Sequence, residues 1–314
     1  MKIAAIDIGS NALRLLIKDC SQPDFMQSLE TLHSGDYYER IPLKSGMDVF
    51  AEGQILPPTK IKLTLALQRF AQIMRQHGVS RYRAVATSSY RDALNGQQVI
   101  DAVSQTCRLN VEIISGEEEA RLTRLSFQPP AQWADDYFVF VDVGGGSTEV
   151  SVMHKGQMLY GHSFQVGSMR YLCNTQEAAQ EQALDSTIAA IHATHSPLHY
   201  IATGGCVKFM CKYLQPQSRK AAESQSMGAI IVSQMQAVHD DLLTKTVPQI
   251  VADYNLPEER ADILTPAAGI FLRIARGLEA EEIAVPSIGV RNGIIAELFM
   301  QSAHKEQDQH EEHN

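Results

Sequence analysis

With 314 residues, 44% of them hydrophobic and 20% charged, the chain has the composition of a soluble, well-packed protein with room for two domains of ordinary size. A net charge of −9 argues against general binding to nucleic acid or membrane surfaces, and no apolar run reaches the length of a membrane span. Met1 to Ile6 is cut by Asp7 and too short for a signal peptide, and the five cysteines are scattered with no CxxC pair, so a reducing cytoplasm is the expected location.

In chain order, Ile3 to Ile6 is an apolar run fit for a buried strand, and Asp7-Ile8-Gly9-Ser10-Asn11 then turns into a second one, Leu13 to Ile17. Glycine in such a turn lets backbone N–H groups approach an anion without a Cβ in the way. Leu63, Leu67, Phe70 and Met74 fall on one helical face, and Gly78 stands where a helix C-cap belongs. Tyr82 to Ala86 reads as a strand followed by Thr87-Ser88-Ser89-Tyr90-Arg91-Asp92, which sets hydroxyls and Arg91 beside a helix start. Taken alone, that segment is better explained as a helix cap with a surface arginine. Val99, Ile100 and Val103 belong to a helix, and Val111 to Ile114 to a strand. The strand leads into Ser115-Gly116-Glu117-Glu118-Glu119-Ala120-Arg121. Acidic residues in a first helical turn are favoured by the helix dipole; since consecutive positions point about 100° apart, at most one or two of the three can serve as a general base.

Gln128-Pro129-Pro130 is the clearest domain boundary, and beyond it the theme repeats. The strand ending at Val141 runs into Asp142-Val143-Gly144-Gly145-Gly146-Ser147-Thr148, and a strand resumes at Val150 to Met153. Further strands are expected at Gln157 to Phe164 and His199 to Ala202, the latter leading into Thr203-Gly204-Gly205 with Lys208 one step inside a helix. Pro248 to Gly277 reads as helical with breaks at Pro257 and Pro266, and the polar tail His304 to Asn314 as disordered. Strand–helix alternation predicts α/β sheets with ligands at the carboxyl ends of strands. A carboxylate beside a glycine turn suits Mg²⁺, which takes a few hard oxygens plus phosphate oxygens and water. Two such loops, each heading one half, suggest a duplicated fold closing on a phosphate chain.

Four segments together resemble the exopolyphosphatase/guanosine pentaphosphate phosphohydrolase (Ppx/GppA) family of the actin-like ATPase superfamily: residues 7–15, 86–95, 114–122 and 141–149. Weaker matches lie at Ala202-Thr-Gly-Gly and Ser287-Ile-Gly-Val-Arg-Asn-Gly. The resemblance implies two actin-like (ribonuclease H-like) α/β domains with an interdomain cleft. They would span 1–128 and 129–289, with a helix at 290–301 returning to the first domain and 304–314 as the tail. It implies hydrolysis of a terminal phosphoryl group from polyphosphate or guanosine pentaphosphate, with Mg²⁺ or alternatively Mn²⁺, and allows a homodimer. By motif position Glu119 is the base; Asp142, Glu149 and Asp7 stand on the metal side. Gly9, Ser10, Asn11, Arg91, Gly144, Gly145, Gly146, Ser147, Thr148, Gly204 and Gly205 would hold phosphates, with Arg14, Lys208 and Arg291 as further cations. Cys206 and Asn292 depart from the family's usual Thr and Glu. The chain also ends where longer members continue, so short polyphosphates or a nucleotide are the expected substrates. A kinase of the same superfamily and a non-catalytic sensor are the competing functions; the Glu119 segment and the retained carboxylates favour the hydrolase.

Overall fold

Two apolar hairpins, one in each half, start the two sheets of a computed structural model that describes residues 1–21, 25–29, 31–127, 129–215 and 227–311. The chain divides into one unit of residues 1–127 plus 288 onward and a second of 128–287. Gln128, named above at the boundary, and residues 312–314 of the tail lie outside the described residues.

The first unit's sheet contains β1 (Lys2–Ile8), β2 (Ala12–Asp19), β3 (Tyr37–Pro42), β4 (Val79–Ala86) and β5 (Val111–Ile113), in the order β3-β2-β1-β4-β5. The second contains β6 (Tyr137–Val143), β7 (Thr148–His154), β8 (Gln157–Phe164), β9 (Leu198–Thr203), β10 (Gly228–Ile231) and β11 (Glu282–Val285), in the order β10-β11-β9-β6-β7-β8. With β10 set aside as an antiparallel edge, the second order repeats the first strand for strand: a central strand, two antiparallel strands on one side, two parallel strands on the other. The central strands β1 and β6 are nearly all buried because helices cover both sheet faces, which is why both appear in the sequence as continuous apolar runs.

The helix Pro57–Gln76 buries Leu63, Leu67, Phe70 and Met74, the face its periodicity marks, and Gly78 follows at a φ of 66°. The helix Glu258–Gly277 corrects one expectation: it breaks before Pro257 but runs straight through Pro266. Proline removes one helical hydrogen bond. Here that loss is offset by burial of Ile263, Leu264, Ala267, Ala268 and Phe271 around it.

The final helix, Val290–Glu311, packs on β1 and on the helix Gly116–Leu125 within the first unit. It also corrects the expected tail, since it stays helical from His304 through Glu311, a stretch rich in residues of high helix propensity. Three contacts anchor it. Arg81 donates to the Leu298 carbonyl at 3.1 Å, Arg83 meets Glu297 at 2.6 Å, and the Asn292 Nδ2 donates to the Leu29 carbonyl at 2.7 Å. The last bond gives Asn292 its reason, because a glutamate there would turn a carboxylate toward the same carbonyl. Among the described residues, no helix is long and apolar enough to cross a membrane.

The closest approach is at Gly293, where a Cβ would overlap the Leu122 carbonyl oxygen. Gly293→Ala therefore forces the two helices apart and should cost at least about 1–3 kcal/mol, read as a lowered Tm in thermal unfolding. An unchanged Tm would mean that the crossing is looser than described.

Candidate active site

Both hairpins are closed by the same bond at the same place. The Gly9 N–H donates to Ala12 O at 3.1 Å, and the Gly144 N–H to Ser147 O at 2.9 Å. Each loop is then tied back by the segment that follows the third strand of its sheet. In the first unit Gly46 N–H and the Ser45 hydroxyl donate to Ser10 O, and Leu43 N–H donates to Asn11 O. The buried Ser10 hydroxyl accepts from Ser89 N–H at 3.3 Å, which joins the loop to the Ser88–Asp92 turn. In the second unit Ser168 N–H and hydroxyl donate to Gly144 O, and Met169 and Arg170 N–H to Gly145 O. The Arg170 Nε donates to Gly146 O at 2.7 Å. Gly167 must be glycine there, since a Cβ would overlap the Gly145 carbonyl.

Register gives the two aspartates different chemistry. Asp7 faces Arg14 across β1–β2, and the two form a 2.9 Å ion pair. The equivalent rung of β6–β7 sets Asp142 opposite Glu149. Glu149 is buried and accepts from the Ser163 hydroxyl at 2.8 Å, while Asp142 is half-buried. Gly204, at a φ of 114°, lies so close that a Cβ would be 3.1 Å from the Asp142 Oδ1. Thr203, paired with Asp142 across β6–β9, buries a hydroxyl that has no protein hydrogen-bond partner. Two carboxylates, an orphaned hydroxyl and a bare backbone are all oxygen donors or open space, a set that fits Mg²⁺ completed by water and phosphate oxygens. Among the described residues no group of three or more acidic, histidine or cysteine side chains forms a full metal cage. Asp7, expected on the metal side, is paired with Arg14.

The three successive glutamates at 117–119 separate cleanly. Glu117 is exposed. Glu118 accepts from Arg121 at 2.6 Å and from Arg83 at 2.9 Å, and both arginines also bind Glu297 of the final helix. Hydrogen bonds from Arg121 hold the Glu118 carboxyl below its ordinary value of 4.5, burial opposes them, and Arg83 adds to the lowering. Glu119 turns the other way, with its Oε2 buried and 3.6 Å from the Arg91 guanidinium, which itself donates to the Ile114 carbonyl at 2.8 Å. So the structure brings Arg91 and Glu119 together, while Glu118 is held by Arg83 and Arg121.

Other expected residues take different places. The Thr148 hydroxyl is fully buried and donates to Val166 O at 2.6 Å, so its side chain supports the hairpin instead of reaching a ligand. Arg291 lies over the Tyr38 ring, 5.1 Å from its centroid. Gly205 is exposed, and Cys206 and Lys208 are half-buried on the helix Gly205–Leu214. A cavity of about 260 Å³ lined by Trp133, His199 and Glu282 sits at the amino ends of β9 and β11, away from the glycine loops. Arg170, Gly167, Ser163 and Ser45 escape a motif search. An internal-repeat comparison marks Ser45 and Gly167, since Leu43-Lys44-Ser45 follows β3 as Val166-Gly167-Ser168 follows β8; it marks neither Ser163 nor Arg170.

Residues 43–302 match the model of the Ppx/GppA phosphatase family. The chain belongs to that family. It is 31% identical over 174 residues to exopolyphosphatase 2 of Mycobacterium tuberculosis, covering 54% of this chain and 53% of that protein. It is 28% identical over 151 residues to exopolyphosphatase 1 of Mycobacterium bovis, covering 48% and 42%. The chain thus matches about half the length of these relatives. Among solved structures it resembles an exopolyphosphatase from Cytophaga hutchinsonii, with a TM-score of 0.80 at 21% identity over 96% of this chain and 98% of that one. An Aquifex aeolicus Ppx/GppA family member gives 0.72 at 20% over 96% and 98%. These likenesses show the fold, two actin-like α/β domains.

A carboxyl held below its unfolded value stabilises the fold above that value and loses its contribution as pH falls through the folded one. Glu118→Gln should therefore lower stability by about 1–2 kcal/mol at neutral pH, discounted for partial exposure. Its Tm deficit should narrow below the ordinary carboxyl value of 4.5. A deficit that stays constant down to strongly acid pH would contradict the ion network.

Proposed function

We propose that the protein is a phosphohydrolase that releases the terminal phosphate of inorganic polyphosphate, with guanosine pentaphosphate as the second substrate to test. The observation that carries this reading is the Asp142–Glu149 rung beside a glycine loop whose carbonyls are all tied back. Phosphoryl transfer asks for positioning and for neutralisation of charge on the phosphate oxygens, which N–H groups, an arginine and a divalent cation supply. Asp142 and Glu149 would hold Mg²⁺, or Mn²⁺ in its place; when bound, the ion offsets charge on the phosphate oxygens.

The chain's own groups do the rest. The N–H groups of the second loop are donors for phosphate oxygens. In the first unit Arg91 donates to a phosphate, and Glu119 accepts the proton of the attacking water, a role a carboxylate performs when held within hydrogen-bond reach. The Arg91 guanidinium, 3.6 Å from the Glu119 carboxyl, holds the base in place before substrate arrives. The names of the mycobacterial relatives support polyphosphate over the nucleotide.

Phosphate release should be measured on polyphosphates of defined length, guanosine pentaphosphate and ATP at fixed ionic strength and free Mg²⁺. The expected result is turnover of short polyphosphates, little of ATP, and loss of activity in excess chelator. Phosphate passed from ATP to an acceptor instead of water would indicate a kinase. Binding without turnover of any of the three would indicate a sensor.

A further inference from the structure

The second loop presents an arrangement that goes beyond a glycine-rich turn. The carbonyls of Gly144, Gly145 and Gly146 are each held by the residues Ser168, Met169 and Arg170. A trans peptide is planar, so its C=O and the following N–H point in opposite directions. Pinning three successive carbonyls to one side therefore turns the N–H groups of Gly145, Gly146 and Ser147 to the other. Among the described residues these three N–H groups donate to no protein acceptor.

The first two carbonyls are held mainly by backbone N–H groups, which hairpin packing supplies. The third depends on one side chain. Arg170 is only 7% exposed, and a buried guanidinium is tolerated only where its donors are satisfied, as the Gly146 carbonyl satisfies its Nε. In the first unit the loop carbonyls of Ser10 and Asn11 are held by the Leu43 and Gly46 N–H groups and the Ser45 hydroxyl. The arginine belongs to the loop beside the carboxylate rung. We propose that Arg170 is a positioning residue: by holding the Gly146 carbonyl it fixes the Ser147 N–H as a phosphate donor, and it sets a positive charge behind the loop. Without it, the Gly146–Ser147 peptide is free to rotate and turn a carbonyl oxygen toward the incoming anion. The inference rests on the proposed phosphate-binding role of this loop.

The test uses the full chain and inorganic tripolyphosphate, with binding followed by calorimetry and by the amide resonances of Gly145, Gly146 and Ser147. Arg170→Met should weaken tripolyphosphate binding at least about tenfold and displace the Ser147 resonance before ligand is added. Arg170→Lys, which keeps a donor and the charge, should recover part of the affinity. Tyr171→Phe loosens the same short helix from its other side, where the Tyr171 hydroxyl binds Glu181 and Arg273, and should leave affinity unchanged. If Arg170→Met does not fold, the Arg170→Lys variant decides by an intermediate affinity and a shifted Ser147 resonance.

Affinity within about twofold of wild type in a folded Arg170 variant overturns the proposal, as does a loss in Tyr171→Phe equal to that in Arg170→Met. Wild-type hydrolysis with no Arg170 dependence sinks this inference and spares the hydrolase reading. Binding that depends on Arg170 with no phosphate release does the reverse. No tripolyphosphate binding by the wild type overturns both.

Discussion

The register of two hairpins decides what each half of the molecule can do. One short bond, from Gly144 N–H to Ser147 O, closes the second turn and so sets Asp142 opposite Glu149. Cross-strand neighbours on one face of an antiparallel pair are close enough to interact, and at this rung both are acidic side chains. The first hairpin has the same closure and spacing, yet puts Arg14 opposite Asp7. The same rung thus carries an acid–base pair in the first hairpin and two acidic side chains in the second. A shift of one residue in either hairpin would turn every one of these side chains to the other sheet face.

The first unit makes its contribution through helix placement. Gly293 lets the final helix touch the backbone of the Gly116–Leu125 helix, and Glu297 then reaches both Arg83 and Arg121. Those arginines take Glu118, and the helical twist turns Glu119 toward Arg91. Gly293 and Glu297 of the final helix therefore help set the direction of a side chain near position 119, although no residue of that helix need touch a substrate. Asn292 fits this scheme as an anchor to the Leu29 carbonyl.

Much of this was legible in the sequence, because the signals were local. Apolar runs, glycine turns and the helical face of Leu63 to Met74 are properties of adjacent residues. The short strands β3, β10 and β11 were not, since a four- to six-residue strand gains its stability from partners distant in the chain. Pro266 misleads because packing outweighs one lost hydrogen bond. Asp7 looks like Asp142 until pairing shows what faces it. Thr148 follows the loop motif, yet alternation along β7 points its hydroxyl inward to Val166. Arg170 leaves no local trace at all, because the backbone carbonyl that its Nε meets is supplied by a loop 24 residues earlier.

The account stands or falls on Glu119 as the group that accepts a proton from water. The direct measurement is single-turnover phosphate release from tripolyphosphate by Glu119→Gln, with affinity determined on the same preparation. Glutamine keeps the size and hydrogen-bonding reach of the side chain and removes only the proton acceptor. The account predicts a rate about 10²–10⁴-fold lower with binding retained. A rate near wild type would contradict it and move proton acceptance to Glu118 or to the substrate's own phosphate oxygens.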